Sequence, residues 1–277
     1  MPARANTLQL GDLTVNRMGF GAMRLCGAHV WGRRRDGGNA ARVLRRALEL
    51  GVNLIDTADS YGPETDELLI AEALHPYPPG LVIATKGGLV RPTRWDWNED
   101  ARPEHLRTAL DGSLKRLKLE RIDLYQLHAP DPKVPFAESM GALAELQRAG
   151  KIRHLGVSNV SVRQLEQARA IAPIVSVQNK YNLFDRSSDD VLAACASLGI
   201  AFLPWFPLAS KRCLRAVKAR KIAEQHDLPV AQVALAWLLA RSPVMLPIPG
   251  TRSIEHLEEN MRAAHVRLSP DDLAYLA

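Results

Sequence analysis

Asp56, Lys86 and His128 each end a short apolar run, and Tyr61 follows Asp56 by five residues. Together these four residue types have a chemistry. A phenol is a poor acid near neutrality, with a reference pKa of about 10. A neighbouring ammonium stabilises the phenolate and lowers that value, and a carboxylate holds and orients the ammonium. Asp56, Lys86 and Tyr61 would thus form a tuned proton donor. His128 would donate a hydrogen bond to a carbonyl oxygen or share the proton relay. The chemistry such a set suggests is reduction of a carbonyl, with hydride from one side and a proton to oxygen from the other. Singly, each residue has an ordinary use: a helix cap for Asp56, turn packing for Tyr61, a snorkelling stem for Lys86, a structural ring for His128. The functional reading depends on all four converging on one place.

The elements that would bring them together are legible as apolar runs rich in branched residues. These are Leu54–Ala58, Leu81–Lys86, Ile122–His128, His154–Ser158, Ile174–Asn179, Ala201–Phe206 and Val244–Pro249, with Met18–Ala22 before them. Helical periodicity fills the gaps at Ala40–Leu50, Glu64–Leu74, Pro103–Leu117, Phe136–Ala149, Val162–Ile171, Asp189–Leu198 and Val230–Arg241. Gly51, Gly150 and Gly199 stand where helices stop. Eight continuous apolar strands alternating with helices predict an α/β fold of the (β/α)₈ TIM-barrel type, one domain over residues 1–277. Leu8–Leu10, Gly11-Asp12 and Leu13–Val15 predict an N-terminal β-hairpin on the barrel floor. The rival is an open doubly wound sheet. It lacks its fingerprint, because Arg24 stands where Gly19-x-Gly21 would need a third glycine. In the barrel, active sites lie at the C-terminal strand ends. That adds Ser158, Asn159, Gln178 and Asn179 to the candidates.

Composition fits this reading and removes others. The 277 residues are 47% hydrophobic and 24% charged, ordinary globular usage. Net charge is +6, mildly basic: suited to an anionic ligand and too diffuse to predict nucleic-acid binding. Cys26, Cys195 and Cys213 are odd in number and widely spaced, so neither a disulfide framework nor a zinc site is expected, and reduced thiols in the cytoplasm fit best. The N-terminus has no apolar run of a secretory signal, and no stretch approaches the roughly 18 residues of a membrane span. Gly156-Val-Ser158-Asn-Val160 lacks the second glycine of a nucleophile elbow. No metal-ligand spacing occurs. Asp59 and His154 suggest no chemistry and are read as structural.

In order along the chain come Gly19-Phe-Gly-Ala-Met23, Asn53-Leu-Ile-Asp56-Thr-Ala-Asp-Ser-Tyr61-Gly, Ala84-Thr-Lys86-Gly-Gly and Ile122-Asp-Leu-Tyr-Gln-Leu-His128. Gly150-Lys-Ile-Arg-His-Leu-Gly-Val-Ser158-Asn159, Val177-Gln178-Asn179-Lys-Tyr-Asn and Pro247-Ile-Pro-Gly250-Thr-Arg252-Ser253-Ile-Glu-His-Leu-Glu-Glu259-Asn260 follow. In this order and over nearly the whole chain, the set resembles the aldo-keto reductase superfamily, bacterial type. The resemblance implies NADPH-dependent reduction of a small carbonyl substrate, with Tyr61 as general acid and Asp56, Lys86 and His128 completing a tetrad. It implies Ser158, Asn159 and Gln178 at the nicotinamide carboxamide and an aromatic on the nicotinamide ring. Trp205 occupies that aromatic's place but is followed by Phe206, so which ring stacks stays open. Leu208 and Ser210 correspond to the loop over the pyrophosphate, Gly250, Thr251, Arg252 and Ser253 to the adenosine-phosphate segment, and Glu259 and Asn260 to the adenine contacts.

The phosphate segment also reads physically. A Gly-Thr turn opening a helix offers free backbone N–H groups and the positive end of a dipole. Arg252 would meet a 2′-phosphate. Many members carry Lys where Gly250 stands; NADPH is still favoured over NADH. Trp31, Trp95 and Trp97, in the loops after the first and third strands, are candidate walls of an apolar substrate pocket. Arg33-Arg34-Arg35, and most of Lys211, Arg212, Arg215, Lys218, Arg220 and Lys221, are read as solvated surface. A monomer is expected. An alternative is an NADP(H)-binding, redox-sensing regulatory subunit with little turnover; all four tetrad residues are present, which favours the enzyme.

Overall fold

Alternate residues of a strand face opposite ways, and the apolar runs of this chain supply both faces. The computed structural model describes residues 6–34, 38–210 and 215–276. Arg35, Lys211, Arg212 and Cys213 therefore lie outside the described residues. The chain opens with the hairpin β1 (Thr7–Leu10) and β2 (Leu13–Asn16), then β3 (Phe20–Gly21), β4 (Leu54–Asp56) and β5 (Val82–Gly87). A small ribbon follows, β6 (Leu89–Val90) and β7 (Asn98–Glu99). Then come β8 (Ile122–Leu127), β9 (Ile152–Ser158), β10 (Ile174–Gln178) and β11 (Ala201–Phe202). The sheet order is β3-β4-β5-β8-β9-β10-β11, parallel throughout.

The eighth segment, Val244–Pro249, closes the barrel without forming a regular strand, which corrects the expectation of a full ladder. Phe202 N donates to Val244 O at 2.8 Å, Leu246 N to Phe202 O at 2.9 Å, and Gly19 N to Pro247 O at 3.0 Å. The segment thus bridges β11 to the stretch before β3. Pro247 and Pro249 have no N–H to extend a ladder. The buried Arg17 guanidinium fastens the same closure by donating to the carbonyls of Ser242 and Met245.

Period-two alternation divides the core in two. Leu54, Val82, Ala84, Leu124, Ala201, Leu203, Leu246 and Ile248 point inward and pack on Leu10 and Val15 of the hairpin. Ile55, Ile83, Tyr125, Leu127, Val157, Val177 and Phe202 point outward under the helices. Continuing the inward register one step places Asp56 above Leu54, Lys86 above Ala84, and Gln126 then His128 above Leu124. The functional side chains are therefore the top layer of the barrel interior.

The helices are α1 (Asn39–Glu49), α2 (Thr65–Leu74), α3 (Pro103–Leu117), α4 (Phe136–Arg148), α5 (Val162–Ile171), α6 (Asp189–Leu198), α7 (Val217–His226), α8 (Val230–Arg241), α9 (Ile254–Arg262) and α10 (Pro270–Leu276). Local signals fix several ends. Pro103 opens α3, whose basic residues Lys115 and Arg116 lie in its last turn, where they complement the dipole. Ser161 and Gln164 form a reciprocal capping box on α5. At the floor, the Gly11 turn (φ +63°) lies against the His154 ring: a Cβ on Gly11 would come within 2.1 Å of it. Asp12 pairs with both Arg153 and His154. His154 is structural, as expected, and its task is to hold the hairpin plug.

Candidate active site

Lys86 is fully buried, and its ammonium has three donors to place. Nζ donates to Asp56 Oδ1 at 2.7 Å, to Thr57 O at 2.8 Å and to Tyr61 Oη at 3.3 Å. Burial opposes the charge on Lys86, but the Asp56 carboxylate and Tyr61 outweigh it, and the ammonium is held above its ordinary pKa. Tyr61 stands edge-on to His128, ring centroids 5.7 Å apart. His128 Nδ1 faces Ser60 Oγ at 3.4 Å. Burial, with Lys86 adding to it, drives the imidazole well below its usual pKa, so the ring is neutral at pH 7. Asp56, Tyr61, Lys86 and His128 thus do meet at one point.

One expectation is corrected. The Lys86 ammonium does pull on Tyr61, but burial pushes harder, and the phenol rises to about 12. Desolvating a phenolate costs more here than one ammonium, itself shared with Asp56, returns. Tyr61 therefore keeps its proton at every physiological pH.

Asp56 is held in turn by residues far away in sequence. Its Oδ2 accepts from Gln178 Nε2 at 2.8 Å and from Gln126 Nε2 at 3.3 Å. Ser176 Oγ donates to Gln126 Oε1 at 3.2 Å. Room for this layer comes from Gly156, where a Cβ would lie 2.2 Å from Ser176 Oγ. Gln126 and Ser60 were missed in the sequence. Gln126 carried a signal: it lies two residues before His128, on the same inward register.

Ser158, Asn159 and Trp205 form the adjoining wall. Ser158 Oγ donates to Gln178 O at 2.6 Å, and Asn159 Nδ2 to His128 O at 2.9 Å. Asn159 sits at φ +58°, a conformation Asn tolerates, and its Oδ1 accepts from Trp205 Nε1 at 3.0 Å. The Trp205 ring is thereby fixed beside Asn159, whereas Phe206 is exposed at φ +58°. Both rings line the cavity.

That cavity, about 1310 Å³, runs from Tyr61 and His128 past Gly21, Leu208 and Ser210 to Thr251, His256, Glu259 and Asn260. At Gly21 and Gly250 two stretches of backbone on its wall approach closely. A Cβ on Gly250 would lie 2.3 Å from Gly21 O, and one on Gly21 2.7 Å from Ile248 O. With this backbone, position 250 has no room for a side chain. Ser253 is spent on capping α9, accepting from His256 N at 3.2 Å. Arg252 is exposed beside the cavity and is not part of its wall; its carbonyl accepts from Asn39 Nδ2. His256, not singled out in the sequence, does line it, with Nδ1 3.1 Å from Glu259 Oε2.

Of the three tryptophans, only Trp97 lines this cavity, 6.3 Å from the Tyr61 ring and edge-on to it. Arg91 positions it. The guanidinium carbon lies 3.7 Å from the Trp97 ring centre, and its nitrogens donate to the carbonyls of His29, Val30, Arg94 and Asp96. Trp31 has its ring centre 5.5 Å from the same guanidinium carbon, and Trp95 is two-thirds exposed against His29. Leu89 and Glu99, cross-strand partners in the β6–β7 ribbon, complete this end. Asp59, left structural in the sequence, is half-buried with its Oδ1 enclosed, and desolvation raises its pKa well above the usual range. Among the described residues, no group of His, Cys, Asp and Glu is arranged to hold a metal ion, and no helix is long and apolar enough to cross a membrane.

Comparison with known proteins agrees with this geometry. Residues 17–277 match the model of the aldo/keto reductase family. An uncharacterized oxidoreductase of Schizosaccharomyces pombe is 46% identical over 99% of this chain and 90% of its own length. Pyridoxine 4-dehydrogenase of Escherichia coli is 43% identical over 98% of this chain and 97% of its own. Among solved structures, the glycerol dehydrogenase of Gluconobacter oxydans superposes with a TM-score of 0.87 at 29% identity, covering 98% of this chain and 94% of that one. An aldo/keto reductase of Klebsiella pneumoniae in complex with NADP and acetate gives 0.82 at 27% identity, with the same coverage. On the barrel, the strand-end site and a match over nearly its whole length, the chain belongs to the aldo/keto reductase family and is an oxidoreductase of that type.

Proposed function

We propose that this protein is a cytoplasmic NADPH-dependent reductase that converts aldehydes or ketones to alcohols, with Tyr61 as the proton donor. The observation that carries the reading is the Lys86 ammonium, which reaches Asp56, Thr57 O and Tyr61 Oη at once, behind the Asp56 and Tyr61 side chains that line a cavity of about 1310 Å³. The cavity fits such a cofactor by its chemistry. Hydrogen-bonding Ser158, Asn159 and Gln178 lie at the reacting end, and the Gly250-Thr251 turn before α9 lies at the other. When bound, the nicotinamide supplies the hydride. Trp205, oriented by Asn159, offers the ring face against which it would lie.

The remaining work falls to the side chains. A substrate carbonyl oxygen within reach of Tyr61 Oη and His128 meets two neutral donors. With Ser60 Oγ donating to His128 Nδ1, the neutral ring carries its proton on Nε2 and would present it to the oxygen. Tyr61 gives up its proton as charge develops on that oxygen. Lys86, kept charged by Asp56, stabilises the phenolate left behind. Leu89 and Trp97 keep water from one side of the substrate. Arg252 and His256 at the start of α9 favour a cofactor bearing a 2′-phosphate.

The test is NADPH oxidation over a panel of aldehydes, ketones and quinones, repeated with NADH. Pyridoxal and glyceraldehyde belong in the panel because two relatives are named for pyridoxine and glycerol. Turnover with NADPH exceeding that with NADH is expected. Tight NADPH binding with no turnover on any carbonyl would instead indicate a regulatory subunit.

A pH profile tests the proton donor separately. Tyr61 titrates at about 12 and His128 well below its usual value, so neither changes state across neutrality. The kcat/KM for reduction should therefore be flat from about pH 6 to about pH 9. Alcohol oxidation needs the phenolate, and its rate should rise with pH throughout. A falling limb near pH 8 in the reductive direction would identify a different acid.

A further inference from the structure

Most of the charge around the reacting end of the cavity is already matched. Asp56 is paired with Lys86 at 2.7 Å. Tyr61 and His128 are neutral near pH 7. Arg24, His256 and Glu259 line the far end, where Gly250 and Thr251 lie. That leaves Glu99, which also lines the cavity. Among the described residues its carboxylate has no ion pair and accepts no hydrogen bond.

The ribbon turns Glu99 towards the cavity. Leu89 and Glu99 stand directly opposite each other across β6 and β7, so their side chains share one face. Trp97, two residues before Glu99, comes to the same side. Leu89, Trp97 and Glu99 all line the cavity, whereas Val90 and Asn98, the other cross-strand pair, do not. Trp97 is also the residue that meets the Tyr61 ring edge-on. The substrate end therefore combines two apolar surfaces with one unmatched negative charge. The Arg91 guanidinium stacks on Trp97 but does not line the cavity; four backbone carbonyls take its donors, and the Asp96 carboxylate acts on it as well.

We propose that Glu99 sets the charge preference of the substrate site: the protein selects carbonyl compounds that carry a cationic group, such as a substituted ammonium, and turns away those that carry a carboxylate. The proposal rests on the reductase reading above. Leu89 and Trp97 cover the apolar stem of such a substrate, and Glu99 meets its charge. Coulombic attraction has no preferred direction and acts over about 10 Å at ordinary ionic strength, so the sign of the charge matters more than its exact position.

Three aldehydes of similar shape test it: 4-(trimethylammoniomethyl)benzaldehyde, 4-formylbenzoate and the neutral 4-isopropylbenzaldehyde. Their kcat/KM values are measured at saturating NADPH in wild type, Glu99→Gln, Glu99→Lys and Glu120→Gln. Glu120 is exposed just before β8, at the barrel end away from the cavity, so its loss changes net charge alone. The quantity read is the ratio of the cationic to the anionic aldehyde. Comparing it between variants cancels intrinsic reactivity, and the neutral aldehyde is the reference within each variant. Because Glu99 is exposed, attraction of the cation and repulsion of the anion are each worth about threefold to fivefold. Glu99→Gln should therefore lower the ratio about tenfold, and Glu99→Lys about tenfold further. The change should sit in KM, since the charge meets a part of the substrate that does not react. Raising salt to about 0.5 M should shrink the wild-type contrast. A ratio in Glu99→Gln within about twofold of wild type overturns the assignment, being smaller than even one of the two expected effects. An equal fall in Glu120→Gln overturns it too, by tracing the preference to net charge. Turnover of none of the three aldehydes, with NADPH or NADH, sinks the reductase reading itself, and the selection with it.

Discussion

Tyr61→Phe should lower kcat for carbonyl reduction by about a thousandfold, in the middle of the usual range for a general acid. The ring remains, so its packing against Trp97 and His128 is retained. Only the hydroxyl goes, and its one partner among the described residues, Lys86, keeps its other two acceptors. Cofactor affinity, read by fluorescence titration, should therefore match wild type, and thermal stability should change little. The loss should appear in single-turnover hydride transfer rather than in KM, because the proton is needed only as charge develops on oxygen. A kcat within tenfold of wild type would remove Tyr61 from the mechanism and shift attention to His128 or a water.

Asp56→Asn should be the most damaging isosteric change in the site. The shape survives, but a fully buried ammonium loses its counter-charge. Breaking one side of a buried ion pair costs about 3–5 kcal/mol. For a chain of this size that is a fall in Tm of about 10 °C. The amide also places a donor where Gln178 and Gln126 need an acceptor. With the Asp56 charge gone, only Tyr61 still opposes burial on Lys86, its pKa moves down, and the charge that stabilises the Tyr61 phenolate weakens as well. Activity should fall along with stability. Adding Lys86→Met removes the stranded charge and should restore part of the stability but none of the activity. If Asp56→Asn unfolds within about 1 kcal/mol of wild type in urea, the pair is not the electrostatic anchor of the site.

Much of the fold could be read from the chain because both of its periods are local. α3, α5, α6 and α8 occupy the stretches their apolar spacing marks. Barrel strands came through as apolar runs because both faces are buried. The errors have local causes too. Prolines at 247 and 249 removed the donors that a regular eighth strand needs. The β6–β7 ribbon is two residues long on each side, too short to show alternation. Trp31 and Trp95 lie in the expected loops but off the main cavity, because Arg91 gathers its loops' carbonyls and presents Trp97 alone to Tyr61.

The sequence by itself determined which side chains lie at the top of the barrel. A strand's period of two carries Leu54 to Asp56, Ala84 to Lys86 and Leu124 to Gln126 and His128 on one inward face. What it could not determine are quantities set across the barrel. Gln178 reaches Asp56 from 122 residues away, and a hydrogen bond from Arg24 to Ser210 joins positions 186 apart. The acidity of Tyr61 is of the same kind. Residue types predict that Lys86 lowers it; burial decides that it rises, because desolvation depends on everything packed around the phenol and not on its charged neighbour alone.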